Sequence, residues 1–566
     1  MYMKSVSKFS LGVILPRVLL FACAGLKSME KKIKELEAKS TPDPLELVGD
    51  SIDLAVSGKF PPKYFGKKVY AEATPVLVYQ GGEAKFKMQA YQGENAAGNG
   101  IVVPYKEGKS ISYSSRIGYV PGMESSKLEL RIAGKEGNKQ GSLPPVAMGE
   151  GVITTCLLVK TDDKCIWSTD NFVRTLSFVN DSAQINFDYN SSVLKPAELK
   201  DSDISALGEF FKRAAANPRM KIKKVEFRGY ASPEGEQLLN DNLAQERSEA
   251  GQKAFNDLAT KMKLTTIPSG ALMLDPKGED WEGFRASMEK SNIGDRNIII
   301  NVLKMTNDLA EREKEIKNIS KTYLEIQKDI FPSLRRCRFI VSYDLEGYSD
   351  AELIQMGSSN PSSLKYEELM KAGSLVEDLD KKAAIYLAAT KAANADYRSY
   401  NNLGCVYYMQ NKLSDANTQW SKAYGMKKCA ETSNNMAVYS HVNGDRKAAG
   451  NYLKEAGSAK ETSYNKGVLD IQNGNYGSAV SSMSSYKTFN TALAKLLNKD
   501  NGGAKADLDA SNDSSAKADY LRAIICARTN DGAGVQSNLA KAYSKDASLK
   551  DKAMKDLEFR NFRDKL

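Results

Sequence analysis

A strand, a tight loop and a long helix carrying one misplaced charge set the strongest constraint in this sequence. Val225 and Phe227 alternate with polar residues as the end of a strand does, Gly229, Pro233 and Gly235 supply a tight loop, and Glu236 to Leu258 follows with helical spacing. Leu239, Leu243, Ala250, Ala254 and Leu258 fall on one stripe of that helix, at steps of 4, 7, 4 and 4. Arg247 lies on the same stripe, 4 residues after Leu243 and 3 before Ala250. A guanidinium on an apolar face requires a partner, because an unpaired charge taken out of water is very costly. Two partners fit: an internal carboxylate, or a ligand carboxylate held between Arg247 and the backbone N–H groups that open the helix.

The run Gly229-Tyr-Ala-Ser-Pro-Glu-Gly235, followed by Asn240, Leu243 and Arg247, resembles the G-x-T-D-x-x-G…N…L-S-x-x-R-A signature of the OmpA-like peptidoglycan-binding domain. Ile185 to Leu194 is similar to that family's first strand and loop, and Leu334 to Val341 to its last strand. The resemblance covers about Ser182 to Tyr343. It implies an α/β sandwich over 180–346 with the order strand, helix (Ser205 to Ala215), strand, helix, final strand. It also implies a periplasmic module that grips the diaminopimelate of the peptidoglycan stem peptide. The family pairs its arginine with an aspartate 15 positions earlier; here Arg247 is kept and that position holds Ser232. The expectation carried over is that Arg247 meets the stem-peptide carboxylate, Asn240 and Asp188 shape the pocket, and Ser232 or Glu234 meets the ammonium group. A helical insertion at 281–332 departs from the family pattern. Its charged run, Asp308 to Ile330, reads as a solvated helix face, and Arg335 and Arg336 read as exposed toward glycan or solvent.

At 566 residues the chain is too long for one core and suggests about three or four domains of roughly 150 residues. With 42% hydrophobic and 27% charged residues it has ordinary globular composition. Eighty basic against 70 acidic residues leave +10, a modest excess for the length. No Lys/Arg block interleaved with aromatics marks a nucleic-acid surface, so the expectation is no nucleic acid and a basic face near anionic lipid or cell wall.

The N-terminus reads as a targeting segment. Lys4 and Lys8 form a charged n-region, and Leu11 to Ala22 is an apolar run of signal-peptide length, too short to span a bilayer. Leu20-Phe-Ala-Cys23 resembles a lipobox, which implies cleavage after residue 22 and a lipid on Cys23; an Ala22-Cys-Ala24 site of the A-x-A kind is the competing reading. Residues 23–41 then form a polar tether to the outer membrane, anchored by lipid and facing the periplasm. From 42 to 179, short runs rich in β-branched and aromatic residues alternate with Gly, Pro, Asn and Asp, which predicts a β-sandwich. Gly151 to Lys160 and Lys164 to Ser168 are among the predicted strands, and Cys156 and Cys165 flank the turn between them, where a disulfide is allowed.

After a Gly/Ser/Pro-rich linker at 347–376, the remainder, 377–566, is helical and repetitive. Asn401-Asn-Leu-Gly404, Asn434-Asn-Met-Ala437 and Asn465-Lys-Gly467 recur at 33 and then about 30 residues, close to the 34-residue tetratricopeptide (TPR) period. Leu403, Gly404, Tyr407, Ala416, Trp420 and Ala423 match that repeat family column by column, and Met436, Ala437, Ala449, Leu453 and Ala456 repeat the offsets. These positions read as core. The resemblance implies a solenoid whose concave surface recruits a protein partner.

Catalysis has no foothold. The chain has one histidine, His441, expected at a surface or helix cap. No metal, phosphate-loop or dinucleotide motif is present, so no cofactor is expected. The sequence therefore predicts a multi-domain α+β chain: β-sandwich, OmpA-like α/β sandwich, TPR-type α-solenoid. Its expected role is that of a non-enzymatic outer-membrane lipoprotein tethering envelope layers. The alternative is a scaffold subunit of an outer-membrane assembly or secretion complex whose OmpA-like domain no longer binds peptidoglycan.

Overall fold

The computed structural model describes residues 24–36, 38–264, 267–268 and 270–566. The predicted signal segment and Cys23 lie outside them. The chain forms two compact units, one combining residues up to Ser168 with Ala395–Leu566, the other Thr169–Asn394.

In the first unit, alternation of apolar and polar residues builds two packed sheets, of five and seven strands among the described residues. Ser51–Phe60 is central to the first sheet and points Ile52, Leu54 and Val56 inward, against Leu77 and Leu128 of the second. The second sheet centres on Val69–Tyr79 paired with Lys127–Glu136. The sandwich begins earlier than residue 42. Ala24–Lys31 is a helix, and Leu26 and Met29, three residues apart on one face, are buried in the sandwich core. Residues 24–41 are therefore a docked element and not a tether, because the polar residues that suggested a tether occupy only the outer face. The sandwich also ends earlier than expected. Only Val152–Ile153 of the predicted Gly151–Lys160 strand pairs, in parallel with Leu45–Glu46, and Lys164–Ser168 joins no sheet.

The same unit contains five successive helix pairs among the described residues, from Tyr397–Met409 with Leu413–Met426 to Ala516–Arg528 with Gly532–Lys545. Small residues permit the close approach within each pair. Gly404 lies against the Trp420 ring, and Leu403, Ala416, Trp420 and Ala423 are fully buried, as are Ala437 and Ala449 one repeat later. The repeat continues through the tail from Ala516, which shows no clear register in sequence.

The second unit holds a four-stranded sheet in the order Thr175–Asn186, Arg336–Glu346, Met220–Tyr230, Leu272–Leu274. The first three pair antiparallel, and the short last strand runs parallel to Met220–Tyr230. Two helices, Ser202–Ala216 and Gln237–Lys261, pack on the sheet around Phe211, Phe227, Phe255 and Phe339. Gly229 is required for this packing, since a Cβ there would lie 2.0 Å from the Ala244 carbonyl oxygen. The buried face of Gln237–Lys261 runs through Asn240, Leu243, Ala244, Arg247, Gly251 and Phe255, while Leu239 is exposed. The insertion forms four helices, among them Leu309–Lys317 and Ser320–Asp329, with their own core of Phe284, Met288, Ile299, Ile316 and Ile326. It is thus a packed subdomain, and the Asp308–Ile330 run breaks into two helices. The predicted linker at 347–376 also folds. Ser349 caps Asp350–Ser359 through a capping box with Glu352, and Tyr366–Leu375 follows. The Leu379–Ala389 helix belongs to this unit and not to the solenoid.

Candidate functional site

Two arrangements bring functional side chains together. The first surrounds Arg247 in the second unit. The side chain is 1% exposed and its guanidinium is held by main-chain oxygens: Nη1 donates to Tyr230 O at 2.9 Å, Nε and Nη2 to Ser191 O at 3.1 and 3.0 Å, and Nη2 to Asp188 O at 3.3 Å. Among the described residues no carboxylate pairs with it. Burial lowers its pKa to about 10, and neighbouring Arg335 adds to the depression. A small cleft of about 30 Å³ opens at this group, lined by Tyr189, Asn190, Ser232, Glu234, Leu239 and Leu243 along with Asn240 and Arg247. The first turn of Gln237–Lys261 borders it and has no side-chain cap.

The other predicted residues are placed differently. Asp188 contributes its carbonyl, while its carboxylate turns out to an ion pair with Lys195 at 2.5 Å; it does not line the cleft. Asn240 donates to Glu234 O at 3.1 Å and to the Glu279 carboxylate at 2.8 Å, fixing the loop to the helix. Ser232 and Glu234 do line the cleft, but they are tied to each other and to Arg335. Ser232 Oγ lies 2.7 Å from Glu234 Oε1, and Arg335 Nη2 donates to the same oxygen at 2.6 Å. Arg335 Nε also reaches Ser232 Oγ at 3.2 Å. Neither Arg335 nor Arg336 is a free surface cation. Arg335 is buried, and Arg336 pairs with Asp280 at 2.6 Å. Glu234 is thereby neutralised internally, so it is not a free anion for an ammonium group. Arg335 is thus paired with Glu234, while Arg247 is left with no carboxylate in contact among the described residues. The insertion reaches the same loop, where Glu313 accepts from Gly235 N–H at 2.7 Å.

The second arrangement had no counterpart in the sequence expectations. After a short 3-10 helix, Thr155–Leu158, residues 159–168 form an extended strap that runs along the first helices of the solenoid repeats. Four asparagines each clamp one strap residue by both its N–H and its C=O: Asn490 holds Lys160 at 2.9 and 2.8 Å, Asn465 holds Lys164 at 2.6 and 2.8 Å, Asn435 holds Ile166 at 2.8 and 2.9 Å, and Asn402 holds Ser168 at 2.7 and 2.9 Å. Each clamp reproduces the pairing of a β-ladder with a side-chain amide in place of a neighbouring strand. Asn401 and Asn434 brace the ladder, with Asn435 donating to Asn401 Oδ1 at 2.9 Å and Asn465 to Asn434 Oδ1 at 3.0 Å. The groove expected to be open to a partner is, along this line, filled by the chain's own segment. Cys156 and Cys165 are free thiols and do not face each other across a hairpin. Cys156 donates toward Leu47 O at 3.3 Å, and Cys165 packs with Cys405 of the solenoid.

His441 belongs to this ladder and is buried, not at the surface. Nδ1 lies 2.9 Å from both Asp163 carboxylate oxygens, and Nε2 lies 2.9 Å from Gln472 Oε1. Burial alone would lower its pKa, but the Asp163 carboxylate and the Gln472 oxygen outweigh that and hold it above the ordinary histidine value. The neighbouring Asp162 accepts from Tyr464 Oη at 2.7 Å and Asn490 Nδ2 at 2.8 Å, and burial raises its pKa. The asparagine doublets that mark the repeat period were the available sequence signal for this site. A polar pair held in register on the inner helix of a repeat is out of place unless it has buried partners.

No family model matches the chain, and no curated protein matches it. Solved structures similar to it include a tetratricopeptide repeat protein from Parabacteroides merdae ATCC 43184, at 14% identity over 35% of this chain and 85% of that one, TM-score 0.27. The APC/C hetero-tetramer Cut9-Hcn1 is similar at 9% identity, 58% and 77% coverage and TM-score 0.30. Pseudomonas aeruginosa pilF is similar at 14% identity, 38% and 97% coverage and TM-score 0.27. Likeness at these scores carries no weight of its own; the helical-repeat description rests on the helix pairing within this chain.

Proposed function

We propose that the chain is a non-enzymatic scaffold of the bacterial envelope whose second unit binds the carboxylate of a peptidoglycan stem peptide at Arg247. One observation carries this reading: a fully buried guanidinium, satisfied only by neutral carbonyls, borders a small cleft beside an uncapped helix start. A bound carboxylate would supply the missing countercharge, with the strength of a charge-assisted hydrogen bond. The OmpA-like resemblance of the Gly229–Arg247 stretch is consistent with the strand and helix order around it. In the same reading a lipid on Cys23 fixes the sandwich at the outer membrane, and the helical-repeat unit serves protein partners.

Glu234 favours a second reading. Its capture by Arg335, together with Glu313 on Gly235 N–H, removes the groups expected to meet an ammonium group. On that account the unit is purely structural within a larger assembly.

Co-sedimentation with insoluble peptidoglycan separates the two. Under the first reading the wild-type chain is retained, while Arg247→Ala loses about 10-fold or more in affinity, the equivalent of ~1.5–3 kcal/mol for a charged hydrogen bond. Leu239→Trp, at an exposed position on the cleft rim, blocks retention without disturbing the core. Wild-type protein that stays in the supernatant establishes the second reading.

A further inference from the structure

We propose that the solenoid groove is a receptor site for an extended polypeptide with adjacent aspartates, and that residues 159–168 are its resident, exchangeable occupant. The ladder reads main chain. The clamps at 160, 164, 166 and 168 engage N–H and C=O groups common to every residue except proline, so they recognise an extended backbone and not a particular sequence. Selectivity lies in the intervening acidic pair. Asp163 enters the His441 pocket, and Asp162 meets Tyr464 and Asn490. Lysines on either side complete the pattern, with Lys160 over Phe489 and paired to Asp513 at 2.5 Å, and Lys164 over Tyr464. The partner that fits is therefore a protein segment that is extended, free of proline at the clamped positions, and built as lysine, one intervening residue, two aspartates, lysine, as in Lys160 to Lys164.

The strap can exchange because it belongs to no sheet and no helix from 159 to 168. Its hold is a row of polar contacts with three apolar anchors, Val159, Cys165 and Trp167, and such a segment can open locally without unfolding the helices beneath it. A tethered strap competes at an effective concentration of about millimolar, so an incoming segment is excluded until the resident is weakened.

The test uses the full chain and a fluorescent peptide with the sequence of residues 155–168, both cysteines replaced by serine. Asp163→Arg places a cation against His441 and expels the resident. The peptide is expected to bind this variant at least about 100-fold more tightly than wild type, and binding is lost when Asn435→Ala and Asn465→Ala are added. A folded Asp163→Arg chain that does not take up the peptide overturns the proposal. Amide exchange of the wild-type chain gives an independent readout. The amides of residues 160, 164, 166 and 168 are expected to exchange through local opening, at least about 10-fold faster than those of the Ala430–Val442 helix. Equal rates would mean that the strap leaves only on global unfolding, and would sink the idea whether or not the variant folds.

Discussion

Asn435→Ala is the sharpest perturbation of the ladder. Asn435 is fully buried; its Oδ1 accepts from Ile166 N–H at 2.8 Å, and its Nδ2 donates to Ile166 O at 2.9 Å and to Asn401 Oδ1 at 2.9 Å. Truncation orphans the Ile166 N–H, whose desolvation costs ~1–3 kcal/mol. The Ile166 carbonyl keeps a donor in Asn401 Nδ2 at 2.9 Å, so its loss is small. Asn401 Oδ1 loses the cross-brace between repeats, worth ~1 kcal/mol. The expected destabilisation is therefore about 2–4 kcal/mol, read as a lowered denaturation midpoint of the unit containing the solenoid at unchanged slope. Exchange of the Ile166 amide should rise by a matching factor, about 30-fold or more, since each 1.4 kcal/mol is tenfold. A shift below about 1 kcal/mol with Ile166 still protected would refute the argument that this amide depends on a single side-chain acceptor.

Three further outcomes follow from other contacts. His441 has its pKa raised above 6.5 in the folded chain, so its contribution to stability is fully present below about pH 6.5 and is lost as pH rises through the elevated value. Denaturation midpoints measured from pH 6 to 9 should fall for wild type and fall less for His441→Gln; identical slopes would remove His441 from the account. Gly404→Ala places a Cβ 2.4 Å from Trp420 Cδ1, and because Trp420 is fully buried and donates to Asn401 O at 3.1 Å, overpacking should cost ~1–3 kcal/mol in thermal unfolding. Ser232→Asp alone should not strengthen peptidoglycan retention, since the new carboxylate would sit against Glu234 and compete for Arg335; combined with Glu234→Gln it should strengthen it, and a gain from the single change would contradict the Arg335–Glu234 lock.

Much of the molecule was legible in the sequence, and the parts that were not share one cause. The β-branched and aromatic runs between turn residues marked a real sandwich, as in Lys109–Gly118 and Lys127–Glu136, and the spacing of Gly404, Ala416 and Trp420 marked a real helix pair, because inward faces follow from local period. Arg247 was singled out correctly as a buried charge. Its partners were not, since Tyr230, Asp188 and Ser191 offer carbonyls that any residue would offer. Arg335 and Glu234 are 101 residues apart, and nothing local to either announces their pairing. The sequence by itself determined the element types, the repeat period and the buried arginine. Only the tertiary structure decided that Glu234 is spent on Arg335 and that residues 159–168 leave the sandwich to fill the solenoid groove. The physical reason is that side-chain periodicity is encoded within a few residues, whereas the partner of a polar group depends on where the chain returns, here 234 to 330 residues later for the four asparagine clamps.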